Sequence, residues 1–231
     1  MQGETVLITG GSRGIGASIV ERLAAENSIV SLSKSGDCID APNVIGVCCD
    51  LASPDETAGV VDQVVKDYPD ISVLINNAAV LAPTPLVMMS DVDIVNQVTV
   101  NLMAPMLLTK LVLKRMMRRR AGRIINMISM SHRLCKQGDS VYAATKAGLE
   151  VFSKITNTEA HRYGITVNCL AISAMQTGML ELAAQANPER IRDLIPHGEF
   201  ADIASVMKII EFYCDPESDD VGGQSIFLGG V

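Results

Sequence analysis

Short apolar segments alternate with longer amphipathic segments along the chain. The apolar segments are nearly continuous hydrophobic runs, which is typical of parallel strands that are covered on both faces. They span residues 5–9, 28–33, 44–49, 71–76, 123–129, 166–171 and 225–228. The pattern therefore predicts seven strands.

The segments between these runs carry apolar residues at helical spacing, as at Ile15, Ile19 and Leu23. Further helices are predicted over residues 54–68, about 90–119, 142–163 and 201–214. Regular alternation of strand and helix implies right-handed crossovers. We therefore expect an α/β fold with a doubly wound, mostly parallel seven-stranded sheet and helices on both faces. No segment resembles a linker, so residues 1–231 are expected to form a single domain.

Composition and charge narrow the classes of partner. The net charge is −7, which disfavours nucleic acids and acidic membranes as partners, and we interpret Arg118, Arg119 and Arg120 as a solvated helix end. The chain has no apolar run of the roughly 18 residues that span a bilayer and no signal-peptide pattern. Its six cysteines and three histidines lack metal-ligand spacing. We expect reduced thiols, no metal site, no membrane partner and a cytoplasmic location.

Polar and glycine residues follow four of the predicted strands directly. Gly10 follows the first strand, Asp50 the third, Asn77 the fourth, and Ser129 ends the fifth. The carboxyl ends of parallel strands share one edge of a sheet, where ligands of such folds bind. This edge is the predicted functional site.

The first loop has the composition of a phosphate-binding turn. Gly10, Gly14 and Gly16 allow a sharp turn and close approach of a pyrophosphate to the start of the following helix. Arg13 lies at the positive end of the helix dipole, which is unfavourable unless an anion is nearby. The loop therefore predicts a dinucleotide, with a phosphate beside Arg13.

The end of the second strand indicates which dinucleotide is bound. Enzymes for the non-phosphorylated cofactor place an acidic residue there. This chain has Lys34 between Ser33 and Ser35, and no carboxylate before Asp37. A cation between two hydroxyls suits a 2′-phosphate and favours NADP(H) over NAD(H), although Lys34 could also be a solvated loop lysine.

Tyr142 and Lys146 form the candidate acid/base pair. They are four residues apart, so a helix presents them on one face. An ammonium about 4 Å from the phenol would be worth on the order of 4 kcal/mol at an effective dielectric near 20, up to roughly three pKa units. We expect Lys146 to lower the pKa of Tyr142 toward neutrality.

Together these motifs resemble the short-chain dehydrogenase/reductase family. The resemblance rests on TGGSRGIG at residues 9–16, NNAA at 76–79, Asn101 in VTVNLMAP, Ser129 thirteen residues before the tyrosine, and YAATK at 142–146. It covers essentially the whole chain and is closest in type to the compact 3-oxoacyl-carrier-protein reductases. It implies a Rossmann fold.

The resemblance assigns roles to four residues. Tyr142 would exchange a proton with the substrate oxygen, Ser129 would hydrogen-bond that oxygen, and Lys146 would bind the nicotinamide ribose. Asn101 would anchor a water that relays protons, or would only cap a local kink. Ser131 competes with Ser129 for the serine role, and the spacing to Tyr142 favours Ser129.

Cofactor contacts are expected from several strand ends. The resemblance places the adenine ring at Asp50 and Leu51, the adenosine ribose at Asn77 and Ala78, and the carboxamide or phosphates at Thr177. The full expected set is Gly10, Ser12, Arg13, Gly14, Ile15, Gly16, Ser33, Lys34, Asp50, Leu51, Asn77, Ala78, Ala79, Tyr142, Lys146 and Thr177.

One departure from the family lies after the sixth strand. Ile172-Ser173 replaces the usual Pro-Gly, which changes backbone preference near the nicotinamide. A small substrate lid is expected at about residues 176–198. Met175, Met179 and Leu180 would line an apolar substrate site there or simply pack within a helix.

These observations predict an NADPH-dependent reductase of a ketone, either a 3-oxoacyl thioester or a secondary-metabolite carbonyl. The substrate would be a small molecule or carrier-bound. An oxidative NAD(P)-dependent alcohol dehydrogenase and a non-catalytic NADPH-binding regulator are the alternatives. By family analogy we expect a homotetramer or homodimer.

Overall fold

The computed structural model describes residues 1–172, 198 and 201–229. Its described strands form one seven-stranded sheet in the order β3-β2-β1-β4-β5-β6-β7, with every neighbouring pair parallel. The strands are β1 (Thr5–Thr9), β2 (Ser28–Ser33), β3 (Val44–Cys48), β4 (Ile71–Asn76), β5 (Gly122–Ser129), β6 (Ile165–Ile172) and β7 (Ser225–Leu228). The predicted Rossmann-type fold class is confirmed.

Helices connect the strands and cover the sheet. The described helices are α1 (Gly14–Leu23), α2 (Pro54–Asp67), α3 (Asp91–Val98), α4 (Ala104–Arg119), α5 (Ser131–Leu134), α6 (Ser140–Ala160) and α7 (Ile203–Cys214). Within residues 1–172 and 201–229, no helix is both long and apolar enough to cross a lipid bilayer.

Alternating residues along the strands fill two separate cores. Leu7 belongs to the core under α2 and α4, whereas its neighbours Val6 and Ile8 belong to the core under α1 and α7. All three side chains are fully buried. Two apolar faces explain why the strands are hydrophobic without a polar alternation.

The long helix predicted over residues 90–119 is interrupted in the structure. The π-helical segment Thr99–Met103 separates α3 from α4. Pro105 lies in the first turn of α4 and has no N–H to donate to the carbonyl of Asn101, as a continuous α-helix would require. The interruption brings Asn101 into the functional region.

The strand order reverses next to β1. The chain runs from β1 through β2 to β3 on one side, and β4 then returns to the other side of β1. Such a switch point opens a crevice at the carboxyl ends of the two strands. The loops after β1 and β4 meet there.

Candidate active site

The turn from β1 into α1 depends on glycine at two positions. Gly10 has a φ of +72°, and its N–H donates to the carbonyl of Leu32 at 2.7 Å. A Cβ on Gly16 would collide with the carbonyl oxygen of Gly10 and lie 2.6 Å from Nδ2 of Asn77. The start of α1 therefore packs against its own loop more closely than any side chain permits.

The N-terminus of α1 is free to receive an anion. Arg13 is the N-cap residue, it is exposed, and its side chain makes no capping hydrogen bond. The first turn contains no acidic residue. Gly14, with a φ of +57°, and Ile15 begin the helix directly after Ser12 and Arg13. The cradle fits the predicted pyrophosphate, because the helix dipole and the arginine both favour negative charge there.

Lys34 has a partner that the sequence did not reveal. Its ammonium lies 2.6 Å from Oδ2 of Asp50, and the lysine side chain remains 79% exposed. The hydrogen bond and charge of Asp50 raise the pKa of Lys34, and the hydrogen bond from Lys34 lowers the pKa of Asp50. The predicted phosphate contact and the predicted adenine contact thus form an ion pair between the ends of β2 and β3.

The neighbouring residues are largely engaged by the protein itself. The buried Ser33 hydroxyl donates to the carbonyl of Asp37 at 3.3 Å. Oδ1 of Asp50 accepts from the N–H of Ala52 at 3.0 Å. Leu51 is buried in the core under α2. Ser33 and Leu51 therefore contribute to the ends of β2 and β3 mainly through contacts within the protein.

The loop after β4 is tied to the loop after β1. Oγ1 of Thr9 accepts from the N–H groups of Asn77 and Ala78, both at 3.0 Å. Nδ2 of Asn77 donates to the carbonyl of Thr9 at 3.0 Å. Ala78 and Ala79 are only partly buried. Asn77 thus holds the crevice in shape, and the small side chains after it leave the crevice open.

Asn101 anchors the same loop from the other side. Its Oδ1 accepts from the N–H of Val80 and its Nδ2 donates to the carbonyl of Val80, each at 2.8 Å. The residue is fully buried within the π-helical segment. Val80 thus engages both ends of the amide. This agrees with the alternative in which Asn101 only caps a local kink of the helix.

The two candidate serines contact each other. Oγ of Ser129 and Oγ of Ser131 are 2.8 Å apart, and the N–H of Ser131 donates to Oγ of Ser129 at 3.1 Å. Ser129 is the last residue of β5, and Ser131 is the first residue of α5. The main chain of Ser131 therefore orients the hydroxyl of Ser129.

Tyr142 lies near Ser129, in the first turn of α6. Burial raises the pKa of Tyr142 to about 12, and the smaller effect of the Ser129 side chain acts in the opposite direction. This corrects the predicted lowering toward neutrality. The phenol is protonated at neutral pH, which is the state of a proton donor.

Lys146 follows Tyr142 by one helical turn, on the same face of α6. Its ammonium lies 5.7 Å from the centre of the Tyr142 ring and donates to the carbonyl of Met127 at 2.8 Å. Lys146 is almost completely buried, and burial lowers its pKa to about 8. Lys146 therefore lies beside the Tyr142 ring, with one of its donors engaged by the main chain of β5.

Asp139 is a site residue that the sequence analysis missed. It is the N-cap residue of α6 and lies one turn before Tyr142, and its charge contributes to the raised pKa of that tyrosine. Spacing alone could have indicated it, because residues 139, 142 and 146 share one helix face. Thr177 and the lid predicted at about residues 176–198 lie outside the described residues, apart from Gly198.

Comparisons with known proteins point to one family. The family model for short chain dehydrogenases matches residues 4–188. The 3-oxoacyl-[acyl-carrier-protein] reductase of Haemophilus influenzae is 29% identical over the whole chain and 98% of its own length. The corresponding reductase of Escherichia coli is 30% identical over 99% of this chain and 97% of its own. The 2-dehydro-3-deoxy-D-gluconate 5-dehydrogenase of Formosa agariphila is 28% identical over 100% of this chain and 92% of its own length.

The match covers the crevice at β1 and β4 together with Ser129, Tyr142 and Lys146. The coverage is nearly complete in both directions, so the likeness extends to the whole fold. The chain therefore belongs to the short-chain dehydrogenase family and is an oxidoreductase that uses a nicotinamide dinucleotide.

Proposed function

We propose that the protein is an NADPH-dependent reductase that converts a ketone into an alcohol. The observation that carries the proposal is the grouping of Ser129, Tyr142 and Lys146 at the carboxyl end of β5, beside the glycine cradle of α1. A bound reduced nicotinamide would supply the hydride that adds to the carbonyl carbon. The side chains of the protein would donate the proton and stabilise the charge on the substrate oxygen.

Tyr142 supplies the proton in this scheme. The phenolic O–H of Tyr142 would break as its proton passes to the substrate oxygen, which becomes the hydroxyl of the alcohol. The phenolate left on Tyr142 would then regain a proton from solvent. The raised pKa of Tyr142 supports this direction, because the group holds its proton until the oxygen becomes basic.

Ser129 and Lys146 act on either side of the phenol. The hydroxyl of Ser129 would donate to the developing oxyanion, since the main chain of Ser131 already accounts for one of its acceptor positions. Lys146 has three donors, one of which is engaged by the carbonyl of Met127. Its other donors can hold a ribose hydroxyl and stabilise the phenolate. In this proposal Asn101 acts by holding the loop at Val80 in place.

Arg13 and Lys34 support the choice of NADPH. Both are exposed cations at the cofactor edge, and the end of β2 has no carboxylate to pair with a free 2′-hydroxyl. The ion pair with Asp50 engages one of the three donors of Lys34 and leaves two for a phosphate.

The names of the relatives suggest the kind of substrate. Two of them are 3-oxoacyl-[acyl-carrier-protein] reductases, which favours a carrier-bound or small carbonyl substrate. The Formosa relative is named a dehydrogenase, so an oxidative role is the second candidate. A non-catalytic regulator is the least supported alternative, because such a protein has no need of Tyr142.

An exposed apolar patch on α6 supports an oligomer. Val151 and Ile155 lie one turn apart and are more than half exposed, and Met103 of the neighbouring π-helical segment is also exposed. We propose that this patch, covered by a second copy, forms a homodimer or part of a homotetramer. The cytoplasmic location, the reduced thiols, the metal-free site and the single domain with a lid stay predictions.

The deciding experiment is NADPH oxidation with a panel of ketones and acyl thioesters, repeated with NADH and with Tyr142→Phe. We expect turnover with NADPH, and a loss of about 10²- to 10⁴-fold in kcat in the variant. Binding of NADPH, followed by fluorescence, should persist. A variant with full turnover would eliminate the proposed acid.

A further inference from the structure

Asp139 is a buried acid with an unused oxygen. The residue is only 5% exposed, and its Oδ1 is buried with no hydrogen-bond partner among the described residues. Burial raises the pKa of its carboxyl group, and the charge of Lys136 acts against this rise. A buried polar atom without a partner is unfavourable and calls for a physical explanation.

Capping of the helix does not explain this aspartate. Aspartate is a preferred N-cap residue because its carboxylate accepts from the free N–H groups of the first turn. Asp139 occupies the N-cap position of α6, but its side chain makes no such bond. The carboxyl group is therefore not held by the helix that it precedes.

Asp139 shares a helix face with the proposed acid/base residues. Asp139, Tyr142 and Lys146 follow one another at three and four residues and thus share one face of α6. The negative charge of Asp139 adds to the rise in the pKa of Tyr142. The main chain just before Asp139 is held in place, because the carbonyl of Gly138 accepts from the N–H of Thr84 at 3.0 Å. Asp139 thus lies on the same face of α6 as Tyr142, the proposed proton donor.

We propose that Asp139 is a specificity-determining residue that accepts a hydrogen bond from a hydroxyl group of the substrate, a few bonds from the reacting carbonyl. This inference rests on the proposed reductase function. A hydroxyl fits better than an ammonium group, because Lys136 and Lys146 already supply positive charge near this part of α6. The substrate class is then a hydroxylated ketone rather than an unsubstituted 3-oxoacyl chain.

Paired probes test this assignment. The substrates are ethyl acetoacetate and ethyl 4-hydroxyacetoacetate, with NADPH at saturation. In the wild type, kcat/KM should favour the hydroxylated ester. In Asp139→Ala this preference should fall by at least about 10-fold, because a hydrogen bond to a charged group is lost. The kcat/KM for ethyl acetoacetate should change by less than about 3-fold. Asp139→Asn keeps an acceptor and should restore part of the preference.

Ser140→Ala is the matched control. Ser140 is exposed and is the next residue of the same turn, so the variant perturbs the start of α6 without touching Asp139. We expect its preference to equal that of the wild type. An unchanged preference in Asp139→Ala, or a wild type that favours ethyl acetoacetate, would overturn the inference and leave the reductase proposal intact.

Binding of the product alcohol provides a readout that does not need turnover. Ethyl 3,4-dihydroxybutanoate should bind to the wild-type complex with the oxidised dinucleotide, and at least about 10-fold more weakly to the complex of Asp139→Ala. Ligand-detected NMR measures both affinities. Equal affinities would count against Asp139, whatever the outcome of the reductase assay, whereas failure of the wild type to reduce any ketone would count against the proposed function.

Discussion

Nε2 of His132 lies 2.9 Å from Oε2 of Glu150, and this contact joins α5 to α6. Oε1 of the same carboxylate accepts from Lys154 at 2.7 Å and from Ser225 at 2.9 Å. Burial by itself would raise the pKa of Glu150, but the hydrogen bonds from Lys154 and Ser225 hold it below its usual value. The cluster fixes the short helix that begins at Ser131.

We expect Glu150→Gln to lower kcat more than it raises KM for NADPH. The α5 turn orients Ser129 through the N–H of Ser131, and this turn would lose its charged anchor. A loss of about 5- to 30-fold in kcat corresponds to the roughly 1–2 kcal/mol of a charge-assisted hydrogen bond. Steady-state kinetics check this. Lys66→Met removes an exposed ion pair of α2 and should leave both constants unchanged.

The same variant should alter the dependence of stability on pH. The pKa of Glu150 is lower in the folded state, so its contribution is complete above the unfolded pKa near 4.3 and is lost as the pH falls through the folded value. Denaturant unfolding between pH 7 and pH 3 should therefore show a smaller loss of stability in Glu150→Gln than in the wild type. Parallel curves would contradict the proposed link between the cluster and the fold.

Lys146→Met should lose activity and gain stability at pH 7. Burial lowers the pKa of Lys146 to about 8, compared with about 10.4 in the unfolded chain, so the folded state bears a penalty of roughly 3 kcal/mol at neutral pH. Loss of the bond to Met127 offsets about 1 kcal/mol of the gain. The stability gained by the variant should shrink as the pH rises from about 8 to about 10.4, because the wild-type lysine then loses its charge in the unfolded state as well as in the folded state. Thermal unfolding at several pH values measures this, and a variant that is less stable at pH 7 would refute it.

Gly16→Ala and Gly59→Ala should have opposite effects. A Cβ at residue 16 collides with the carbonyl of Gly10, and we expect loss of dinucleotide binding and at least about 2 kcal/mol of stability. Gly59 is exposed within α2, and its added Cβ meets no atom within 4 Å, so alanine should stabilise by up to about 1 kcal/mol. Unfolding curves and NADPH titration compare the pair. Unimpaired binding in Gly16→Ala would argue against the cradle.

Lys34→Glu should reverse the cofactor preference. The substitution places a carboxylate next to Asp50 and opposes a 2′-phosphate, and we expect kcat/KM for NADPH to fall at least about 10-fold relative to NADH. Lys66→Glu is the matched control, because that lysine is also exposed and paired with an aspartate. If the wild type uses both cofactors equally at fixed salt, Lys34 is only a surface lysine.

The strands were predictable because each is a local signal. Four of them, at residues 5–9, 28–33, 71–76 and 225–228, have the predicted bounds, and the other three differ by one residue at one or both ends. A run that is buried on both faces needs no information from the rest of the chain to be recognised. Pro105 is a local signal for the helix interruption near Asn101. The role of Asn101 in holding the loop after β4 depends instead on its contact with Val80, which is 21 residues away in the chain.

Contacts between distant residues were not predictable. Nothing in the spacing of residues 34 and 50, or of residues 132 and 150, distinguishes an ion pair from two solvated charges. The pKa of Tyr142 shows the same limit, because the spacing to Lys146 indicates one charged neighbour but not the burial of the phenol. Burial is a property of all the elements packed around the phenol.

The order of strands and helices could be predicted from the sequence alone, as could the glycine turn and the sheet edge that carries Ser129. These follow from periodicity and from residues close together in the chain. The packing of the fold set which charges pair and how the phenol titrates, and it left Oδ1 of Asp139 with no hydrogen-bond partner among the described residues. The reason is physical: electrostatic energies depend on distance and on exclusion of water, and both are set by packing between elements that are remote in sequence.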